Sequence, residues 1–328
     1  MSFNSKLETQ DSKIAFVFPG QGSQYVGMGK ELWDGFKAAK ETFEEAGDVL
    51  GRDIAKLCFE GPESELNLTE NTQPAILVTS IAAWRVLTAA AGCNIVPSYL
   101  AGHSLGEYTA LVVSGSMSFR DAVRIVHLRG KFMQESVPQG VGAMAAVLGI
   151  RGDIVDIICK EVSNGSKVVV AANFNSPEQT VISGDREAVE KASVIAKERG
   201  AKRVIPLPVS VPSHSPLMDT AANKLEQELK KIGFKHLGIP IITNVEAEPI
   251  TSSDRVKELL VRQLYSPVRW VESVLKMKEL GVTNMLEIGP GKVLTGLVKR
   301  TTSSIQTFNI EKPEDVYKCR DACALYVF

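Results

Sequence analysis

The segment Gly102-His103-Ser104-Leu105-Gly106 sets a serine between two glycines, the spacing of a nucleophile held on a sharp turn. A short apolar run at 99–101 precedes it, and a largely apolar helical run follows toward Val113. Between strand and helix, such a turn lifts the hydroxyl out of the fold, and the glycines leave room for the two elements to approach. The N–H of Leu105 then points to where a carbonyl oxygen would become negative, with the dipole of the helix start adding to it. The pattern reads as acyl chemistry on Ser104. It does not by itself separate transfer from hydrolysis.

A serine hydroxyl is a poor nucleophile near neutral pH and needs a base within hydrogen-bond reach. Of the four histidines (His103, His127, His214, His236), His214 is the best candidate. It precedes Ser215-Pro216, which reads as a helix N-cap followed by proline at the first helical position. The positive end of that helix would help keep the ring neutral. His103, adjacent to the serine on a tight turn, is expected to point elsewhere. No acid stands where a hydrolase triad would need one. Arg129 lies on a helix that Ser118 is expected to cap, and helix position alone reads it as a solvated surface residue. Gln21 lies in the turn Pro19-Gly20-Gln21-Gly22-Ser23-Gln24, which has neither the phosphate-loop nor the dinucleotide-binding glycine spacing.

The elements that must hold these residues follow from the apolar pattern. A strand at 14–18 opens the folded part, helical patterns run to about Leu50, and an apolar helix is expected from Pro74 to Ala91. After Pro138 the texture changes to strand 143–148, helix 153–161, strand 168–173, strand 179–183, helix 187–199 and strand 203–206. That order is the split β-α-β-β-α-β of a ferredoxin-like unit. Pro206, Pro208, Pro212 and Pro216 mark the return, and strand-and-turn patterns recur at 240–244 and 284–288. The expected architecture is an α/β main domain over 13–137 and 208–312 with a ferredoxin-like α+β subdomain inserted at 138–207. Residues 1–12 and 313–328 are expected to be tails.

Bulk properties narrow the function class. At 328 residues with 44% hydrophobic and 23% charged side chains, the chain is long enough for one large domain with an insertion. A net charge of −1 gives no global attraction to nucleic acid or an anionic membrane. There is no apolar stretch long enough to span a bilayer and no signal-like N-terminus, so the cytoplasm is the expected compartment. Five scattered cysteines argue against a disulfide framework, and no zinc motif is present, so no metal is expected.

The chain resembles the malonyl-CoA:acyl carrier protein transacylases of fatty acid synthesis and the acyltransferase domains of polyketide synthases. The resemblance rests on Phe18-Pro19-Gly20-Gln21-Gly22-Ser23-Gln24, Thr72-Gln73-Pro74-Ala75, the Ser104 segment continued to Glu107-Tyr108, and Arg129-Gly130. It continues in Gly142-Ala143-Met144-Ala145-Ala146-Val147, Val211-Pro212-Ser213-His214-Ser215, Arg262-Gln263-Leu264 and Glu287-Ile288-Gly289-Pro290-Gly291. It implies a hydrolase-like α/β fold with a ferredoxin-like insertion. It further implies Ser104 and His214 as the catalytic pair, with the histidine oriented by backbone carbonyl near Gln263. Gln21 and Leu105 N–H groups would form the oxyanion hole, Arg129 would bind the free carboxylate of malonyl, and Gln263 would be a supporting residue of the substrate site. The implied partners are malonyl-CoA, coenzyme A and holo acyl carrier protein. Lys202, Arg203, Lys299 and Arg300 are candidate contacts for that acidic carrier. Both thiols belong to substrates, so no cofactor is implied. The competing expectations are a serine hydrolase, a catalytically silent carrier-docking module, and a transferase of another dicarboxylic unit such as methylmalonyl.

Overall fold

The first strand, β1 (Lys13–Phe18), divides its side chains between two apolar layers. Phe16 and Phe18 enter one core, and Ala15 and Val17 enter another that contains Trp270 and Val274. Burial on both faces is why its sequence reads as a continuous apolar run, as parallel strands between helices do. The computed structural model describes residues 13–90, 95–138, 140–209 and 211–324. The expected tail at 1–12 and Cys93 lie outside them.

After β1 come α1 (Lys30–Gly35), α2 (Lys37–Leu50), α3 (Ile54–Glu60), α4 (Glu63–Leu66) and α5 (Thr69–Ala90). Next are β2 (Tyr99–Gly102), α6 (Gly106–Val113) and α7 (Phe119–Glu135). The next six elements are β3 (Gly142–Leu148), α8 (Gly152–Val162), β4 (Val169–Ser176), β5 (Gln179–Asp185), α9 (Arg186–Glu198) and β6 (Arg203–Pro206). The chain then returns through α10 (Asp219–Leu229), β7 (Ile241–Ile242), β8 (Pro249–Ile250), α11 (Val256–Gln263) and α12 (Trp270–Glu279). It closes with β9 (Val282–Ile288), α13 (Val293–Thr301), β10 (Gln306–Ile310) and α14 (Pro313–Ala324).

Two sheets result. The larger runs β10-β9-β1-β2-β7-β8, parallel except for β8. The smaller runs β4-β5-β3-β6, every neighbour antiparallel, which is the ferredoxin-like order that the split pattern requires. One face of the smaller sheet buries Ala145, Val147 and Ile182 against α8 and α9. The other carries Met144, Ala146 and Val181 with Leu207 and Val209. The smaller sheet is tied to the connection between α11 and α12 at Val268, whose N–H donates to Ala172 O and whose carbonyl accepts from Phe174 N.

Three expectations need correction. Helix α5 begins at Thr69, so Pro74 sits inside it rather than at its first turn. Proline has no N–H for the Glu70 carbonyl one turn back. His127 Nδ1 donates to that carbonyl at 3.0 Å from α7, and so satisfies it. Residues 313–324 are not a tail but helix α14, which buries Val316 and Cys319 in the main core. Ser215 occupies the expected N-cap position before Pro216, but its hydroxyl donates to Pro212 O and caps nothing. Ser118, by contrast, caps α7 as expected, accepting from Asp121 N at 3.1 Å. Among the described residues no helix is long and apolar enough to cross a membrane.

Candidate active site

Between β2 and α6 the backbone reverses through Ser104 at φ 48°, a left-handed conformation that costs a non-glycine residue on the order of 1–2 kcal/mol. The flanking glycines are required by contact. A Cβ on Gly102 would lie 1.9 Å from Gly106 C, and one on Gly106 would lie 2.1 Å from Phe18 O. The strained residue is gripped at both ends. Its N–H donates to Asn244 Oδ1 at 2.6 Å, and its carbonyl accepts from Gln263 Nε2 at 3.1 Å. Asn244 Nδ2 also donates to Gly102 O at 2.6 Å.

His214 reaches Ser104 from the loop before α10, itself at φ 60°. Its Nε2 lies 2.9 Å from Ser104 Oγ and its Nδ1 lies 2.7 Å from Gln263 O. A carbonyl only accepts, so Nδ1 carries the proton and Nε2 is left as the acceptor for the serine hydroxyl. The ring is 3% exposed. Burial, and next the charge of Arg129, push its pKa down to about 3. The neutral ring therefore owes its state to desolvation and a neighbouring cation, rather than to the helix dipole expected from Ser215-Pro216.

Arg129 is 1% exposed on the inner face of α7, not solvated as helix position suggested. Its Nη1 donates to Gln73 Oε1 at 2.8 Å, and its Nη2 donates to both Ser104 Oγ and Gln263 Oε1 at 3.0 Å. The Nε–H has no protein partner. Burial lowers its pKa from the ordinary guanidinium value, opposed by Tyr108 and Glu107. A buried fork of donors touching a serine Oγ has the geometry to pair with a planar anion placed beside that hydroxyl.

These groups line a cleft of about 340 Å³, with Gln21 and Leu105 on the main-domain side and Met144, Val181 and Asn175 on the smaller sheet. The structure thus gathers Ser104, His214, Arg129, Gln21 and Leu105 around one space, with Gln263 behind them. The basic pairs lie outside it. Lys202 pairs with Glu178 at 3.7 Å, and Arg300 donates to Gln179 Oε1 at 2.8 Å. Because Glu178 and Gln179 are consecutive, one residue of each basic pair bonds to the same short stretch of chain, and Gln179 also lines the cleft. Arg203 and Lys299 are exposed beside them.

Several residues of the site went unassigned in the sequence. Gln73 and Glu107 stand inside quoted motifs, but nothing local shows that they face Arg129 and Gln263. Asn244 had no signal beyond a strand-and-turn pattern. His103 does turn away from Ser104: its Nε2 donates to Asn175 Oδ1 at 2.8 Å, linking the Ser104 turn to β4.

Residues 15–320 match the acyl transferase domain family. The chain is 50% identical over 305 residues to the malonyl CoA-acyl carrier protein transacylase of Bacillus subtilis (strain 168), covering 93% of this chain and 95% of that one. It is 49% identical over 302 residues to the enzyme of the same name from Escherichia coli (strain K12), covering 92% and 97%. A malonyl-transacylase solved in complex with a type II PKS acyl-carrier protein superposes with a TM-score of 0.92 at 48% identity, covering 94% of this chain and 99% of that one. The acyl carrier protein S-malonyltransferase from Vibrio cholerae superposes with a TM-score of 0.90 at 47% identity, covering 93% and 99%.

Proposed function

The chain belongs to the acyl transferase family, among the malonyl CoA-acyl carrier protein transacylases, and from that membership we propose that it moves malonyl from coenzyme A to the phosphopantetheine thiol of an acyl carrier protein, supplying fatty acid synthesis. The observation that carries this reading is Arg129, buried and in contact with Ser104 Oγ. A malonyl thioester has a carboxylate for that guanidinium and a carbonyl for that hydroxyl. An acetyl group would leave the buried cation unpaired, which disfavours it.

The cycle has two halves. His214 Nε2 takes the Ser104 proton as Oγ attacks the thioester carbonyl, and the N–H groups of Gln21 and Leu105 receive the negative oxygen. The C–S bond breaks, the departing thiolate takes the proton from His214, and coenzyme A leaves a malonyl ester on Ser104. The carrier's thiol then gives its proton to His214 and attacks the ester, and Ser104 Oγ departs and takes that proton from His214. A hydrolase would be expected to orient its histidine with a carboxylate. Here a backbone carbonyl occupies that position, which supports transfer.

The test is to incubate the protein with malonyl-, methylmalonyl- or acetyl-CoA, with and without holo carrier protein, and to follow the acyl mass. Malonyl should move to the carrier; release of free malonate without transfer would reverse the reading. The pH profile is a further check. Protonated His214 cannot accept the serine proton, and its pKa is pushed far down, so the base form persists well into acid. The kcat/KM for malonyl loading should show no histidine limb near 6.5 and should change by no more than about threefold between pH 8 and pH 5, although burial pushes the nearby Glu107 carboxyl up to about 7. We place carrier docking at Lys202 and Arg300, which bond to the adjacent Glu178 and Gln179. Lys202→Glu with Arg300→Glu should raise the KM for carrier several-fold at low salt and leave malonyl loading from coenzyme A unchanged. An unchanged KM would remove this surface.

A further inference from the structure

Glu107, the first acid of α6, is 3% exposed and does not line the cleft. Its Oε2 accepts two hydrogen bonds, from Asn244 N at 2.9 Å and from Gln263 Nε2 at 3.0 Å. Those two partners are the residues that grip the Ser104 peptide, Asn244 at its N–H and Gln263 at its carbonyl. One carboxylate oxygen therefore braces both supports of a nucleophile held at φ 48°.

The same oxygen sets the orientation of the Gln263 amide. Burial pushes the Glu107 carboxyl up to about 7, but a proton on Oε1 would still leave Oε2 an acceptor, and a guanidinium only donates. Gln263 lies between the two, with its NH₂ toward Glu107 and its Oε1 toward Arg129. A flipped amide would set NH₂ against the guanidinium and oxygen against the carboxylate, and would lose the bonds to Glu107, to Arg129 and to the Ser104 carbonyl together.

We propose that Glu107 is a positioning residue, which through Gln263 and Asn244 holds the Ser104 turn and aims the Arg129 fork at the same point. The assignment rests on the reading of Ser104 as the acyl acceptor and Arg129 as the carboxylate receptor. It goes beyond that reading in making substrate choice depend on an acid that touches no substrate.

Two conservative variants separate geometry from charge. Glu107→Asp keeps the charge but draws the oxygen back by one methylene. Glu107→Gln loses the charge but keeps an acceptor oxygen where Oε2 lies. Single-turnover loading of Ser104 from malonyl-CoA and from acetyl-CoA is measured for each, with circular dichroism and thermal melting to verify folding. Glu107→Asp should load malonyl about 10- to 100-fold more slowly than wild type, the scale expected when buried hydrogen bonds are broken. Its preference for malonyl over acetyl should shrink, because a loosened Arg129 affects malonyl alone. Glu107→Gln should restore loading to within about threefold of wild type and restore the preference. The proposal is overturned if Glu107→Asp matches wild type, if Glu107→Gln falls as far as Glu107→Asp, or if both substrates slow in equal proportion. Wild-type protein that fails to load malonyl would overturn the premise and the proposal with it. Loading that is intact and insensitive to position 107 would remove Glu107 alone.

Discussion

Ser104→Ala should lower malonyl loading by roughly 10⁴-fold or more while leaving the protein folded. The alanine removes Oγ, the one atom shared by His214 Nε2 and Arg129 Nη2. It leaves the turn as it was, because Asn244 and Gln263 grip the backbone of residue 104 rather than its side chain. Loss of activity with an unchanged melting temperature is therefore the expected signature. His214→Ala should have an effect of similar size, and the double variant should be no worse than either single one, since a nucleophile and its base act as a unit. Stopped-flow release of coenzyme A reads all three. Additive losses would mean that the two side chains do not act on the same proton.

The second large effect is at Arg129. Arg129→Ala should reduce malonyl loading by about 10²- to 10³-fold, the scale of leaving a buried charge without its partner. Acetyl loading should fall far less, since an acetyl group never paired with the guanidinium. The preference for malonyl should thus collapse. Arg129→Lys should recover little. An ammonium is a point charge on a flexible stem, and it cannot reproduce a fork that reaches Gln73, Gln263 and a substrate carboxylate together. The charge of Arg129 also helps to hold the His214 pKa down. In Arg129→Ala the acid limb of the pH profile should therefore move up toward neutrality. A variant that slows malonyl and acetyl equally would contradict the carboxylate-receptor role.

What could be read from the sequence was what is physically local. The Ser104 turn is legible because strand, glycine, serine, glycine and helix lie within a few residues, and each glycine answers a contact with the adjacent turn or strand. The ferredoxin-like sheet is legible because six short elements in a fixed order leave few ways to pair, and β3 occupies the centre as that order demands. The early start of α5 was hidden because the proline's cost is met by His127, 57 residues beyond the Glu70 carbonyl that it satisfies. Arg129 could not be assigned from its helix, because its burial depends on Gln73 and Gln263, which lie 56 and 134 residues distant. Asn244 and Glu107 were illegible for the same reason, being 137 positions apart in the chain. Family resemblance supplied Arg129 and Gln263, and the three-dimensional arrangement supplied the residues that hold them.

The account turns on a malonyl ester at Ser104, and trapping that ester tests it most directly. Wild-type protein is mixed with malonyl-CoA, quenched in acid and digested, and the mass of the peptide that contains Ser104 is measured before and after a chase with holo carrier protein. The account predicts one malonyl group on Ser104, absent in Ser104→Ala, lost on the chase and recovered on the carrier's thiol. A carrier that becomes malonylated while Ser104 never carries the group would contradict it.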